Sequence, residues 1–364
     1  MKGNAAPTTA ANTNGSTTAV AQNGVATSAI KFVGTEDLGG GMKAGFLMEI
    51  NPNLAQSSTS NINYSFGGDY NGTPFNGEQF VNLAGGFGEV KLGVPNAGFF
   101  LAQNTSHPFG TAMGSAYGAS GLSRLGTQAL GIVSGVNSGT ARIIRHERSI
   151  QYTTPTMGGF SAMVTYAAQN DNTNTTKPSN QDGYTDITLM YSNGPLNVAY
   201  SNAVNKFGQY AVPSLASAPY TLAGTTALSG VANGDYTYNV LAANYTTGAT
   251  TIYGGYTTTK SNGITAATSM EDATSYNIAA KYVMGQVDLL GNYTVRTSNL
   301  ATSGTVNNNN ARMIGLGANY NFSKRTSVYY RFEVADINTD SKNDSATAGG
   351  SVTNASMVGI RHAF

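Results

Sequence analysis

Apolar side chains recur at every second position in short runs, and nowhere do about 18 apolar residues follow one another. Met42, Ala44, Phe46, Met48 and Ile50 make one such run. Phe160, Ala162, Val164 and Tyr166 make another, as do Ile187, Leu189 and Tyr191, and Ile314, Leu316, Ala318, Tyr320 and Phe322. Strand side chains alternate between two faces, so each run predicts a strand with one greasy face. Helical membrane spans are excluded by length. A closed barrel is the other structure that crosses a bilayer with every backbone amide paired.

The opposite faces of the runs settle which way such a barrel is lined. They carry Asp186, Asn197, Asn244, Lys281, Asp288, Arg296, Asn319, Arg331 and Glu333. An apolar outside with a polar, charged inside reverses the soluble arrangement and implies an aqueous lumen. Composition agrees: only 10% of residues are charged, against roughly 25% in an ordinary soluble domain, and Asn, Thr, Ser, Gly and 21 Tyr take their place. The chain stops mid-pattern on Val358-Gly359-Ile360-Arg361-His362-Ala363-Phe364, so Phe364 reads as an interfacial aromatic on a closing strand. Cysteine is absent, and 19 basic against 18 acidic residues leave a net charge of +1, which argues against a nucleic-acid partner.

Turn residues separate the runs unevenly. Asn193-Gly194-Pro195, Gly248-Ala249, Gly285-Gln286 and Ser323-Lys324-Arg325 are tight, whereas residues 96–141, 169–183, 207–235, 262–273, 299–310 and 339–355 read as long connections rich in Asn, Thr, Ser, Gly and Ala. Short turns on one rim and long loops on the other fit the periplasmic and extracellular ends of a bacterial barrel. The fold class is therefore all-β, a transmembrane antiparallel β-barrel, with about 15 strands over residues 28–364. Single-chain bacterial barrels have an even count, so a first strand is expected before Met1, with residues 1–27 as a polar first external loop. No secretory signal is visible after Met1.

Five segments, in order, resemble the Gram-negative general porins, in particular their 16-stranded trimeric betaproteobacterial branch. They are Gly34-Thr35-Glu36-Asp37-Leu38-Gly39-Gly40-Gly41-Met42-Lys43-Ala44, Gly86-Phe87-Gly88-Glu89-Val90-Lys91-Leu92-Gly93, Ser149-Ile150-Gln151-Tyr152-Thr153-Thr154-Pro155 with Gly158-Gly159-Phe160, Ser323-Lys324-Arg325-Thr326-Ser327-Val328-Tyr329, and the terminal Gly359 to Phe364. The resemblance implies an outer-membrane homotrimer in contact with lipid and lipopolysaccharide. It also implies a third loop, here 96–141, folded inward as the constriction. Two positions depart from the pattern: Ala29 and Val94 stand where the family usually has a basic residue, although Lys31 lies on the same face as Ala29.

The composition of 96–141 suits an inward loop, because Phe99, Phe100, Leu101, Phe109, Met113, Leu122, Leu125 and Leu130 are too apolar for a free external one. No acidic residue occurs between Glu89 and Glu147, while Lys91, Arg124, Arg142 and Arg145 do, with Arg148 just beyond. Selectivity in a wide pore follows the sign of charge at its narrowest part. Lys31, Lys91, Arg124, Arg142, Arg145 and Arg148 are thus the expected anion-attracting set. Lys43, Lys281, Arg296, Arg331 and Arg361 are expected on the lumen wall, mostly as solvated pairs with acids such as Glu49, Asp288 and Glu333.

An enzyme would need more than the three histidines His107, His146 and His362, which show no Ser/His/carboxylate spacing. No metal or phosphate-loop motif appears, and no cofactor is expected. The expected function is a water-filled outer-membrane channel for passive diffusion of small hydrophilic solutes and ions, with anion preference. A surface adhesive or structural barrel without significant transport is the alternative that the Asn/Thr-rich connections also fit.

Overall fold

The computed structural model describes residues 2–4, 16–18, 20, 24–52, 77–115, 144–168, 183–211, 231–262, 270–302, 305–339 and 351–364. Within its strands, the side chains of 2–4, 16–18, 207–211, 231–234, 261, 270–271, 298–302, 305–309, 336–339 and 351–353 lie outside the description. Fifteen strands follow one another as an antiparallel meander: β3 (Ile30–Gly39), β4 (Met42–Ile50), β5 (Gln79–Gly85), β6 (Gly88–Val94), β7 (Ser149–Thr153), β8 (Phe160–Ala167), β9 (Gly183–Asn193), β10 (Leu196–Ala211), β11 (Val231–Thr247), β12 (Thr250–Asn262), β13 (Met270–Met284), β14 (Val287–Thr302), β15 (Thr305–Asn321), β16 (Thr326–Thr339) and β17 (Ser351–His362). Two three-residue strands, β1 (Lys2–Asn4) and β2 (Ser16–Thr18), join the same sheet. β1 pairs with β17 at Lys2↔Ser356 and with β2 at Lys2↔Thr18. Part of the region expected as a first external loop is therefore sheet, and Val25 packs against Met113, Tyr329, Ala355 and Met357.

The hairpin registers follow the alternation. Tyr245 faces Ile252 and Leu241 faces Tyr256 across Gly248-Ala249, and Met284 faces Val287 across Gly285-Gln286. Paired residues point to the same side of a sheet. The apolar runs therefore join into one continuous surface, and Ile187, Leu189, Tyr256, Tyr276 and Ile278 all stand exposed on it. Ala203, Tyr238, Val240, Thr188 and Ser201 on the other side are buried.

The strands run past the expected loop boundaries. β14 and β15 stay paired to Thr302↔Thr305, where a connection over 299–310 was expected. β10 and β11 likewise reach into 207–235, β12 and β13 into 262–273, and β17 begins inside 339–355. A 17-residue strand such as β15 is about 58 Å long at 3.4 Å per residue, far more than the roughly 25 Å apolar band of a membrane barrel. Hydrophobic alternation ends where lipid ends. The hydrogen-bond ladder does not, because Asn, Thr and Ser on both faces cost it nothing in water.

Candidate functional site: a segment docked inside the barrel

After β6 the chain turns inward rather than outward. Helix α1 (Gly98–Asn104) and the turns through Ser115 bury Ala97, Phe99, Ala102, Phe109, Ala112 and Met113 against the inner face of the sheet. Phe99 packs on Tyr238 of β11 with ring centroids 5.8 Å apart. One apolar cluster holds Phe99 and Ala102 together with residues of β8 through β11 and with Ala311, Met313 and Ala335 of β15 and β16. The inner face of the sheet from β8 to β16 therefore curves around the segment.

Polar groups of the wall fix the segment in register. Gly98 N–H donates to Asp186 Oδ2 at 3.0 Å, and Gly114 N–H donates to Glu333 Oε2 at 2.8 Å. Between these ends, Asn244 Nδ2 donates to the Thr105 carbonyl at 3.1 Å and Asn277 Nδ2 to that of Ser106 at 2.8 Å. Thr257 Oγ1 donates to Gln103 Oε1 at 3.1 Å, and Asn292 Nδ2 donates to the Gly114 carbonyl at 2.9 Å. These anchors come from β9, β11, β12, β13, β14 and β16, so the segment spans more than half the wall. Buried backbone groups must be paired, and here side chains of the barrel do the pairing.

Two inward glycines make room for this close approach. A Cβ on Gly315 would sit 2.4 Å from the Gly114 carbonyl oxygen, and one on Gly255 would sit 2.6 Å from Ser106 Cβ. The entrance is tied as well. Ala97 N–H donates to the Ile144 carbonyl at 2.7 Å, Gln151 Nε2 donates to the Asn96 carbonyl at 2.8 Å, and Arg145 Nη1 donates to Asn96 Oδ1 at 3.1 Å.

His107 sits within the docked stretch and is fully buried, and neither ring nitrogen has a hydrogen-bond partner among the described residues. Burial lowers its pKa from 6.5 to about 4, so the ring is neutral at ordinary pH.

The cations expected at the pore separate into three groups. Lys31, Lys91 and Lys281 each lie beside a carboxylate: Glu49 at 3.2 Å, Glu89 at 3.5 Å and Asp288 at 3.6 Å. Lys91 also stands over the Phe80 ring at 4.7 Å. Lys43, Arg148 and Arg361 are exposed, Arg148 with a left-handed φ of 56° at the entry to β7. Arg296 and Arg331 share the inner face but are 0% and 2% exposed, which differs from the solvated wall pairs expected of them. The docked segment accounts for this at Arg331, whose guanidinium carbon lies 5.8 Å from the Phe109 ring centroid. Arg124 and Arg142 lie outside the described residues. Phe364 follows β17 fully exposed on the outward side, its ring edge-on to His362 at 4.6 Å.

Sequence reasoning placed Asp186, Asn244 and Glu333 on the inner face without giving them work to do. It missed Asn277, Asn292, Gly255 and Gly315 as a docking track altogether. The available clue was phase: all four fall on the inward positions of adjacent strands.

An apolar exterior, a polar interior and an inward segment anchored to the wall define a membrane-spanning β-barrel with part of its own chain docked inside. Residues 1–342 match the Gram-negative porin family, and the chain belongs to it. That family places it in the outer membrane. The chain is 34% identical over 189 residues to outer membrane porin protein 32 of Delftia acidovorans, covering 50% of this chain and 46% of that protein. It is 29% identical over 199 residues to the major outer membrane protein P.IB of Neisseria gonorrhoeae, covering 52% and 47%. It thus spans just under half the length of these curated relatives. Among solved structures, an anion-selective porin from Comamonas acidovorans superposes with a TM-score of 0.66 at 26% identity, covering 94% of this chain and 91% of that one. OmpT of Vibrio cholerae in its trimer form superposes at 0.62 with 16% identity over 92% and 95%, a likeness of fold alone.

Proposed function

We propose that this chain forms a water-filled channel through which small hydrophilic solutes and ions diffuse passively, with a preference for anions, and that it works as a homotrimer in contact with outer-membrane lipid and lipopolysaccharide. The observation that carries the channel reading is the docked segment. A structural or adhesive barrel has no use for a loop held across its own lumen by six wall side chains, whereas a size-limiting passage requires one. Anion preference draws on the 26% identical anion-selective porin over nearly the whole chain. It draws also on the wall carboxylates Asp186 and Glu333, whose oxygens are buried beneath the segment and turned to its backbone amides instead of the water path. Lys31, Lys91, Arg145, Arg148, Arg124 and Arg142 are the proposed anion-attracting set, and Lys43 and Arg361 line the approach from the short-turn rim. Phe364 is the proposed interfacial anchor of the closing strand.

Reconstitution into planar bilayers tests the proposal. Stepwise ohmic conductance is expected, with a reversal potential in a KCl gradient whose sign reports chloride as the more permeant ion. A folded protein without conductance would return the adhesive reading, and a cation-selective channel would refute the preference.

A further inference from the structure

Most inward-facing lysines near the passage are matched by a carboxylate, so they contribute dipoles more than net charge. Arg331 differs. It is 2% exposed, and among the described residues it forms no ion pair. Its Nη1 donates to the carbonyls of Tyr330 at 2.8 Å and Ala318 at 3.3 Å, and its Nη2 donates to Asn319 Oδ1 at 2.8 Å. Its guanidinium carbon lies 5.8 Å from the Phe109 ring centroid and 5.6 Å from that of Tyr329. Every one of those partners is neutral. The carboxylate whose field reaches it, Asp288, is already engaged by Lys281 at 3.6 Å and accepts from Asn321 at 3.2 Å. The other acid on the inner face of β16, Glu333, accepts from Gly114 N–H.

Carbonyl oxygens and aromatic faces stabilise a guanidinium without cancelling its charge. Surrounded by low-dielectric wall and by the docked segment, the charge is also shielded from mobile ions that would screen it if it were exposed. Phe109 belongs to the segment and Arg331 to the wall, so the cation sits at the joint between them. It is held against the segment, away from open water.

On the reading that the channel prefers anions, we propose that Arg331 is a specificity-determining residue acting at a distance: a fixed buried cation with no ion-pair partner among the described residues, whose field biases the passage toward anions. The ion-paired lysines contribute less. Such a residue is conserved in effect by charge, not by shape, which makes the idea testable.

The test uses the full chain in planar bilayers, with reversal potentials of the unsubstituted protein, R331K and R331M compared in KCl gradients at dilute and at molar ionic strength. Met suits the slot because a flexible apolar chain can fill the space between Phe109 and Tyr329, and replacing a buried charge by an apolar group is often tolerated. R331M is expected to lower the anion-to-cation permeability ratio about twofold in dilute salt, the order of effect that one charge acting across protein and water retains after screening. The difference is expected to shrink toward nothing at about 1 M salt, where the screening length is near 3 Å. R331K is expected to keep most of the preference. An unchanged ratio in R331M, or equal loss in R331K and R331M at both salt concentrations, overturns the proposal. Failure of the channel reading itself shows separately, as absent conductance or cation preference in the unsubstituted protein.

Discussion

Adding one methyl group at Gly315 should detach the end of the docked segment. The new Cβ would lie 2.4 Å from the Gly114 carbonyl oxygen, 2.5 Å from its Cα and 2.8 Å from its carbonyl carbon. All three are backbone atoms, so no side-chain rotation relieves the clash. Overpacking of this kind costs about 1–3 kcal/mol. Moving Gly114 away also breaks its two wall contacts, the Asn292 bond at 2.9 Å and the Glu333 bond at 2.8 Å. The first is worth about 1 kcal/mol and the second, to a charged acceptor, about 2. Keeping the segment docked therefore costs about 1–3 kcal/mol, roughly five- to a hundredfold in the docked-to-undocked ratio. Single-channel recording of Gly315→Ala should show larger open-channel current noise and altered conductance, because the obstruction no longer holds one position. Gly291→Ala is the matched control, since nothing lies within 4 Å of a Cβ there. If Gly315→Ala conducts as quietly as the control, the segment is not held at Gly114 and the docking argument fails.

Acid should loosen the same segment by a different route. The folded His107 pKa of about 4 lies below its ordinary 6.5, so its contribution to docking is complete above pH 6.5 and is lost as pH falls toward 4. Up to about 3 kcal/mol is at stake. Current noise should rise more steeply through that window in the natural protein than in His107→Phe; parallel profiles would exclude His107 as the cause. On the outside, Ile278 is 61% exposed in mid-strand, and Ile278→Lys should lower folded stability in bilayers by about 2–4 kcal/mol, the cost of a lysine at the membrane midplane. A neutral result in urea titrations of the membrane-inserted protein would mean that this face does not meet lipid.

Much of the fold was legible because one physical rule writes it. Lipid on one side and water on the other impose period two, and Ile187, Leu189 and Tyr191 or Tyr276, Ile278 and Ala280 obey it without exception, so strand identity and hairpin register could be read directly. Strand ends were less legible, since the rule lapses above the membrane while β14 and β15 continue to Thr302 and Thr305. The inward loop was suggested by Phe99, Phe109 and Met113, apolar residues with no lipid to meet. Its anchors were not. Asn277 and Asn292 look like any lumen-facing amides until a backbone carbonyl is placed opposite them, and that placement depends on a fold that spans from residue 98 to residue 333.

On the proposed anion preference, the same contacts give a nearly neutral chain a way to present a biased passage. Formal charge is +1 over 364 residues, so any preference must come from unequal exposure, not from an excess of one sign. Anchoring the segment makes the exposure unequal. Asp186 and Glu333 each accept a hydrogen bond from a backbone N–H of the segment and are fully buried, which stabilises the two carboxylates in place away from the water. Arg331, buried on the same inner face, donates to carbonyls and an amide oxygen and lies near two aromatic rings; among the described residues no carboxylate pairs with it, although the field of Asp288 reaches it. On that reading narrowing and selectivity are not separate devices. Removing the segment should widen the lumen and, in the same step, uncover Asp186 and Glu333 together with Arg331, two acids against one base, shifting preference toward cations as conductance rises.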